Sequence, residues 1–472
     1  MRSSPPVART LASFVLAAAT LLAPVAATAD RARGASPPAP LPAGPPPAVY
    51  PPADPSRPLA TFPAAVDPGA MAVDPRTRHI FLLIPPPGTA APNGSSQVPP
   101  GPGSLATYDV RGGAPVRTIP VPSGVGTLLL DGPRGRLYVI ADTIQVVDAR
   151  TGALLRAIPI PARAAAIDPA SGRLLLATTA DAAGLPPGAG MDGAVVALDP
   201  LAPAGPAVIF RTRLGANLDA IGVDPPRRRV YVADAGSVTE PGGRCAPGRC
   251  TSAVYALDSA TGRLLAATAL HDPDEETAYL PERAICLAVA PAADRVVVTE
   301  TAGNRSDGEV RVLDARTGAL LSTAAANVDP CVLATDQRGG RAYIAHGNYY
   351  LSDQPSGGVE ILDTLRGVFV DELRSTGRYP IAVLADPNAR AMDVLWASSY
   401  RPPPGLPEGM LMVLDARTGA EVREVPLAAN PLAAGTDPER GGLIVLNRPA
   451  RDGYYKARAG EASSLTRPYA SS

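Results

Sequence analysis

The chain has 472 residues, with 56 Pro and 45 Gly but only 4% aromatics, one Trp (Trp396) and one Lys (Lys456). A composition 46% apolar and 18% charged does not fit a disordered polyelectrolyte, and Pro at this density disfavours long helices. A net charge of −1 removes the main reason to expect a nucleic-acid partner, and three His (His79, His271, His346) leave few positions for metal or acid–base chemistry.

At the start of the chain, Arg2 and Arg9 precede an apolar, Ala-rich run from Leu11 to Ala27, and Ala27-Thr28-Ala29 has the small-x-small form of a signal-peptide cleavage site. Residues 1–29 are therefore expected to be an export signal, with a secreted or extracytoplasmic destination. No other stretch approaches the ~20 apolar residues of a membrane span. Residues 30–47 are rich in Ala, Pro and Gly, the composition of a semi-rigid tether.

From there to about residue 447 one phrase recurs: an apolar stretch ending in Asp or Asp-Pro, a short Arg/Gly turn, and a second apolar stretch. Copies include Met71–Pro75, Ala166–Pro169, Gly222–Pro225 and Leu384–Pro387. From Asp74 to Asp437, 363 residues over seven intervals give a period of about 52. A second phrase alternates with it: a short strand, Asp, a turn often containing Thr-Gly, and another strand. The clearest copies are Asp148–Gly152, Asp314–Gly318 and Asp415–Gly419. Each unit thus holds four short strands rich in Val, Leu, Ile and Tyr. A sheet this small has two apolar faces that only neighbouring sheets can cover, so the pattern predicts an all-β β-propeller of four-stranded antiparallel blades.

Tyr138-Val139-Ile140-Ala141, Tyr231-Val232-Ala233-Asp234 and Tyr343-Ile344-Ala345-His346, each followed by the Asp phrase, resemble the YVTN-type β-propeller repeat, a family of many exported proteins. The Asp-x-x-Thr-Gly phrase is also similar to quinoprotein propeller repeats. Those end each unit in a docking Trp, where this chain has Ile158, Ala267, Thr323 and Val425. This departure argues against a pyrroloquinoline quinone site, and no cofactor is expected.

Eight first-half phrases meet seven clear second halves. Strands within residues 48–64 are expected to complete the blade begun by Pro431–Leu446, giving eight blades, with seven as the alternative; residues 448–472 read as a tail. With strands lettered a to d from the axis outward, the a–b and c–d turns are short and uniform. The b–c connections (about 84–104, 180–193, 234–252, 300–308, 346–357 and 398–409) are long and varied. Antiparallel geometry places them on the same face as the d–a links, including the long link 271–283. Variable loops on a rigid scaffold commonly carry binding or catalysis.

Candidate ligand-binding residues on that face are His346, Asn348, Tyr349, Tyr350, Tyr400 and Arg401 in the loops, with Asp219, Arg283, Asp329, Arg378 and Tyr379 near the inner strands. Tyr and Arg combine contact area with polar ends. The expected function is non-catalytic binding of a small molecule or protein partner. The alternative is a hydrolase or lyase using His271 and His346 with acidic neighbours such as Glu275, although no nucleophile-elbow, zinc or phosphate-loop motif is present. The loop 271–276 lacks the regular spacing of a Ca²⁺ loop, and no metal site is assigned. The recurring Asp residues read as turn caps. Cys245 with Cys250, and Cys286 with Cys331, are suited to two disulfides in an oxidising compartment.

Overall fold

A computed structural model of the protein describes residues 48–49, 60–61, 70–84, 102–109, 115–122, 126–186, 192–203, 205–236, 252–270, 283–301, 308–327, 332–336, 340–348, 356–376, 378–385, 391–398, 409–427, 430–437, 442–448 and 461–466. They form seven four-stranded antiparallel sheets in sequential order and an eighth of three strands. The inner strands, blade 1 to blade 8, are Ala70–Asp74, Thr127–Asp131, Ala164–Ile167, Leu218–Asp224, Arg283–Ala290, Val332–Asp336, Arg378–Ala385 and Asn430–Asp437. Each contacts the next, and the last returns to the first. The protein is an eight-bladed β-propeller.

The alternation apolar-in on both sheet faces produces eight buried apolar clusters, one for each blade interface. Leu175, Val195 and Phe210 of blade 3 meet Ile221, Val230 and Val232 of blade 4, for example. The clusters joining blade 7 to blade 8 (Leu395 and Val413 with Leu443 and Val445) and blade 8 to blade 1 (Ile444 with Met71 and Leu82) close the ring. In blade 8, Asn430–Asp437 pairs with Gly442–Arg448, and the third strand is Glu461–Thr466. The segment read as a tail therefore contributes a strand. The short pair Ala48–Val49 and Ala60–Thr61 lies against that strand and does not pair with Gly442–Arg448. The physical driver is the open edge of strand 442–448, whose N–H and C=O groups need partners.

The recurring Asp phrase has two jobs. Within the turn, the Asp258 carboxylate accepts from the N–H groups of Ala260 (3.0 Å) and Thr261 (2.9 Å) and from the Thr261 hydroxyl (2.8 Å). The Thr261 hydroxyl bond, opposed by slight desolvation and helped by the two N–H groups, holds this carboxyl below the usual range. Asp148, Asp314 and Asp415 repeat the arrangement. Between blades, the turn docks against the preceding blade. Gly262 has φ +71, and a Cβ there would come within 2.3 Å of the Phe210 ring of blade 3. Its carbonyl accepts from Thr212 of blade 3 at 2.7 Å.

Strand b of the preceding blade adds a further latch. The position that opens it carries His79, Arg136, Arg173, Arg229, Arg295 and Arg341 in blades 1 to 6; His79, Arg173, Arg229 and Arg295 reach backbone carbonyls in the next blade, while Arg136 and Arg341 pair with Asp148 and Asp363 of their own blade. His79 Nδ1 lies 2.8 Å from Ala149 O, and Arg229 Nη1 donates to Ala315 O (3.2 Å) and Arg295 Nε to Thr364 O (3.2 Å). Two positions on, Tyr231 donates to Ala315 O and Tyr343 to Ala416 O. These contacts perform the blade docking that the missing Trp serves elsewhere.

Replacing Gly262 with Ala meets both the left-handed backbone and the Phe210 ring, and is expected to cost about 2–4 kcal/mol. Gly135, with φ +62 but open space around its Cβ position, should cost only about 1–2 kcal/mol on the same change. Urea unfolding of the two variants measures the difference; equal losses would mean that the inter-blade contact contributes nothing.

Candidate functional site

Strand b and strand c of blades 1 to 7 each carry one position that faces the preceding blade at the end of the interface away from the c–d turns. In strand b it is the sixth residue, counted from the latch position: Ile84, Ala141, Thr178, Asp234, Glu300, His346 and Trp396 in blades 1 to 7. In strand c it is the third residue before the turn Asp: Ala106, Gln145, Val196, Tyr255, Arg311, Glu360 and Met412. Blades 1 and 7 fill both positions with apolar side chains. Blades 4, 5 and 6 hold the polar pairs Asp234/Tyr255, Glu300/Arg311 and His346/Glu360. Three consecutive interfaces are thus polar at the same height.

Two of the three are closed. Asp234 is buried and accepts from the N–H groups of Ala216 (3.1 Å), Asn217 (2.8 Å) and Gly236 (3.0 Å), which pins the link entering blade 4. Glu300 is buried, pairs with Arg311 and accepts from Ser252 of blade 4 at 2.6 Å, while Arg311 also pairs with Glu309. Buried charges so compensated hold a structure in register.

The third, between blades 5 and 6, is open to solvent on one side. The antiparallel register puts Ile344, Glu360 and Glu372 in one row and His346, Gly358 and Arg374 in the next, so the four polar groups share one face. Gly358 leaves room for the imidazole, whose Nε2 lies 2.3 Å from where a Cβ would stand. His346 Nε2 is 3.1 Å from Glu372 Oε1, which fixes the Nε2–H tautomer and leaves Nδ1 as an acceptor. Asn327, at the end of blade 5, donates through Nδ2 to Glu360 Oε1 (2.8 Å) and Glu372 Oε1 (3.1 Å), bridging two carboxyl groups, and its N–H reaches Glu360 Oε2 at 3.2 Å. Arg374 Nε donates to Glu372 at 2.7 Å from a side chain that is 72% exposed.

The environments push these groups apart. Burial lowers the His346 pKa, and the nearby Glu372 charge restores only part of it. Burial raises Glu360, with the Glu372 charge adding to the shift against the bonds from Asn327. Glu372 is partly desolvated, but Arg374 and His346 outweigh this and hold it below the usual range. At neutral pH the node therefore offers an ionised carboxylate, a neutral imidazole, a carboxyl group that protonates more readily, an amide and a guanidinium.

Of the other sequence-predicted residues, Asp219 is the second residue of the inner strand of blade 4, 3.4 Å from Asn217 Nδ2 and 3.7 Å from Arg163 of blade 3. Arg378 is buried, with Nη1 3.3 Å from Met410 sulfur, and Tyr379 is half-buried beside the core between blades 7 and 8. These are in other sectors from His346. Asn348 ends strand b of blade 6, two residues beyond His346, and Arg283 begins the inner strand of blade 5. His271, Glu275, Asp329, Tyr349, Tyr350, Tyr400 and Arg401 lie outside the described residues, as do Cys245, Cys250 and Cys331; Cys286 is buried in the core between blades 5 and 6. Glu360, Glu372 and Arg374 were not singled out by the sequence reading. Alignment of the units on the latch position and the turn Asp would have flagged Glu360. Among the described residues no group of three or more His, Cys, Asp or Glu has metal-site geometry, and no helix is long and apolar enough to cross a membrane.

No family model matches the chain, and no curated protein matches its sequence. Among solved structures it is similar to the Dos1 propeller (TM-score 0.54, 13% identity, covering 81% of this chain and 90% of that one). It is also similar to the computationally designed Ika8 protein (0.52, 13%, 84% and 95%) and to the quinohemoprotein alcohol dehydrogenase of Comamonas testosteroni (0.51, 13%, 82% and 70%). At this identity the likeness shows the propeller fold alone.

Because the chain has only three His, the His346 ring is readily followed by NMR titration. Glu372→Gln removes the carboxylate that raises the His346 pKa, so that pKa should fall further; a rise would contradict the assigned contact.

Proposed function

We propose that this protein is an exported, YVTN-type binding propeller whose ligand engages the long-loop face at the node between blades 5 and 6. The observation that carries this reading is the cluster of Asn327, His346, Glu360, Glu372 and Arg374. Five polar groups converge there from two blades and remain open on one side, where the polar pairs of blades 4 and 5 are closed by their own partners and blades 1 and 7 are apolar. The donors and acceptors are mixed and partly exposed, which suits a polar small molecule or a polar protein segment. Asn348 and, outside the described residues, Tyr349, Tyr350 and Asp329 flank the node in sequence. Export through the N-terminal signal and a disulfide-permissive compartment belong to the same reading.

A hydrolase or lyase is the second reading. The His346–Glu372 contact favours it, with a neutral imidazole beside two carboxyl groups of opposite pKa displacement, the arrangement of general acid–base pairs.

A thermal-shift screen of polar metabolites tests the binding reading. A ligand at one hundred times its Kd should stabilise the protein by about 2.7 kcal/mol. Glu372→Gln and Arg374→Ser are expected to weaken that ligand at least about tenfold, the loss of one hydrogen bond to a charged group. Asp142→Asn, at an exposed site in blade 2, should not. Equal binding by all four proteins would overturn the assignment. Turnover of a bound ligand that is lost on His346→Ala would decide for the second reading.

A further inference from the structure

The outer strands of a propeller are sheet edges, and here each carries the same irregularity. In blades 1 to 7 the pairing of strands c and d has a bulge near the turn, with Val116, Leu155, Ile209, Leu265, Leu321, Val370 and Val422 as the extra residues. Such a bulge twists an edge and shortens the stretch to which another strand could pair. Beyond the bulge, three to five regularly paired residues remain in strand d of blades 1 to 5 and 7. Pro120 and Pro426 further interrupt the edge in blades 1 and 7. In blade 6 six remain, residues 371–376, with no Pro among them. Its outer strand, Val368–Thr376, has no strand beyond it among the described residues.

This edge is apolar at its turn end. Leu320 and Leu321 of blade 5 and Leu365, Val368 and Val370 of blade 6 are 40% to 60% exposed, five of the twelve large apolar side chains exposed among the described residues. They form one patch, because the turn of blade 6 docks on blade 5. A Cβ on Gly367 would run into Ser322, which brings the segments 320–322 and 365–368 together. Contiguous exposed apolar surface of this kind marks an interaction site. In the turns 314–318 and 363–367 and the strands that follow them, the exposed charged side chains are Arg316, Arg366 and Arg374, against Asp371 alone.

We propose that the rim of blades 5 and 6 is a docking surface for an extended protein segment, which adds a strand along residues 371–376 and carries apolar side chains alternating with Asp or Glu. An added strand satisfies the outward N–H and C=O groups of the edge, which a lipid surface cannot do. Its apolar side chains cover Leu321, Val368 and Val370, and its carboxylates meet the three guanidinium groups. A second copy presenting the same rim would set Arg against Arg, so the patch does not suit self-association. Arg374 is shared with the node, but the docking rests on the edge and the patch and not on a ligand at the node.

Selection of a phage-displayed library of random nine-residue peptides on the full mature chain tests this. Enriched peptides are expected to alternate apolar residues with Asp or Glu. At ten times its Kd, the selected peptide should slow hydrogen–deuterium exchange across 371–376 about tenfold and leave 207–214 of blade 3 unchanged. Leu321→Asp and Val370→Asp, at exposed positions, should each weaken it at least about tenfold. A polar metabolite that binds the node should still bind both variants, which separates the two readings. Enrichment of Lys- or Arg-rich peptides, binding that both variants leave unchanged, or no enrichment overturns the proposal. A dimer in sedimentation equilibrium that Val370→Asp dissolves would assign the rim to a second copy, and binding to phosphatidylglycerol vesicles lost in the same variant would assign it to a membrane; either overturns it. If a variant does not fold, an exchange footprint on the wild-type protein outside blades 5 and 6 overturns it as well.

Discussion

The interaction on which the rest depends is the docking of each c–d turn onto the blade before it. A four-stranded sheet of short strands cannot stand alone, because both faces are apolar. Its neighbours cover those faces, but apolar contact is non-directional and does not by itself fix where one sheet sits on another. The turn supplies the register. Asp148, Asp258, Asp314 and Asp415 close their own turns through backbone N–H groups, which presents the turn carbonyls outward in a fixed place. Arg229, Arg295, Tyr231 and Tyr343 of the preceding blades then donate to carbonyls at or beside those turns. The glycine of the turn allows the left-handed backbone and the close approach together.

A ring locked in this way leaves the opposite face free to vary. The polar pairs of blades 4 to 6 lie at the end of the interfaces away from those turns. Their chemistry differs within one geometry. Asp234 is satisfied by backbone N–H groups and Glu300 by Arg311 and Ser252, so both serve the scaffold. His346 and Glu360 are held by Asn327 and Glu372 with one side open, and that difference in closure is what makes the node the candidate site.

Much of the fold was legible in the sequence, because the period, the turn Asp and the strand composition repeat in every unit. His346 was read as a loop residue, and it stands inside the strand Arg341–Asn348, paired with Gly358. What was not legible has physical causes. Glu360, Glu372 and Arg374 lie within strands, where single polar residues read as an exposed face; only pairing of strands b, c and d brings them to one side. The latches were hidden because Arg229 and Tyr231 bond to main-chain carbonyls, which leave no residue signature. Glu461–Thr466 lacks the repeat phrase altogether, so its place in blade 8 depends on the open edge it covers and not on its own pattern.

Unfolding of Tyr231→Phe, Tyr343→Phe and the double variant in urea measures the docking directly, because each change removes one hydroxyl and leaves the ring in place. Each single change should cost about 1–2 kcal/mol, since a buried carbonyl loses a donor. The two losses should add to within about 0.5 kcal/mol, because the interfaces involved are separate. Stabilities of all three within about 0.3 kcal/mol of the wild type would contradict the account, and would leave apolar contact alone to set the register of the blades.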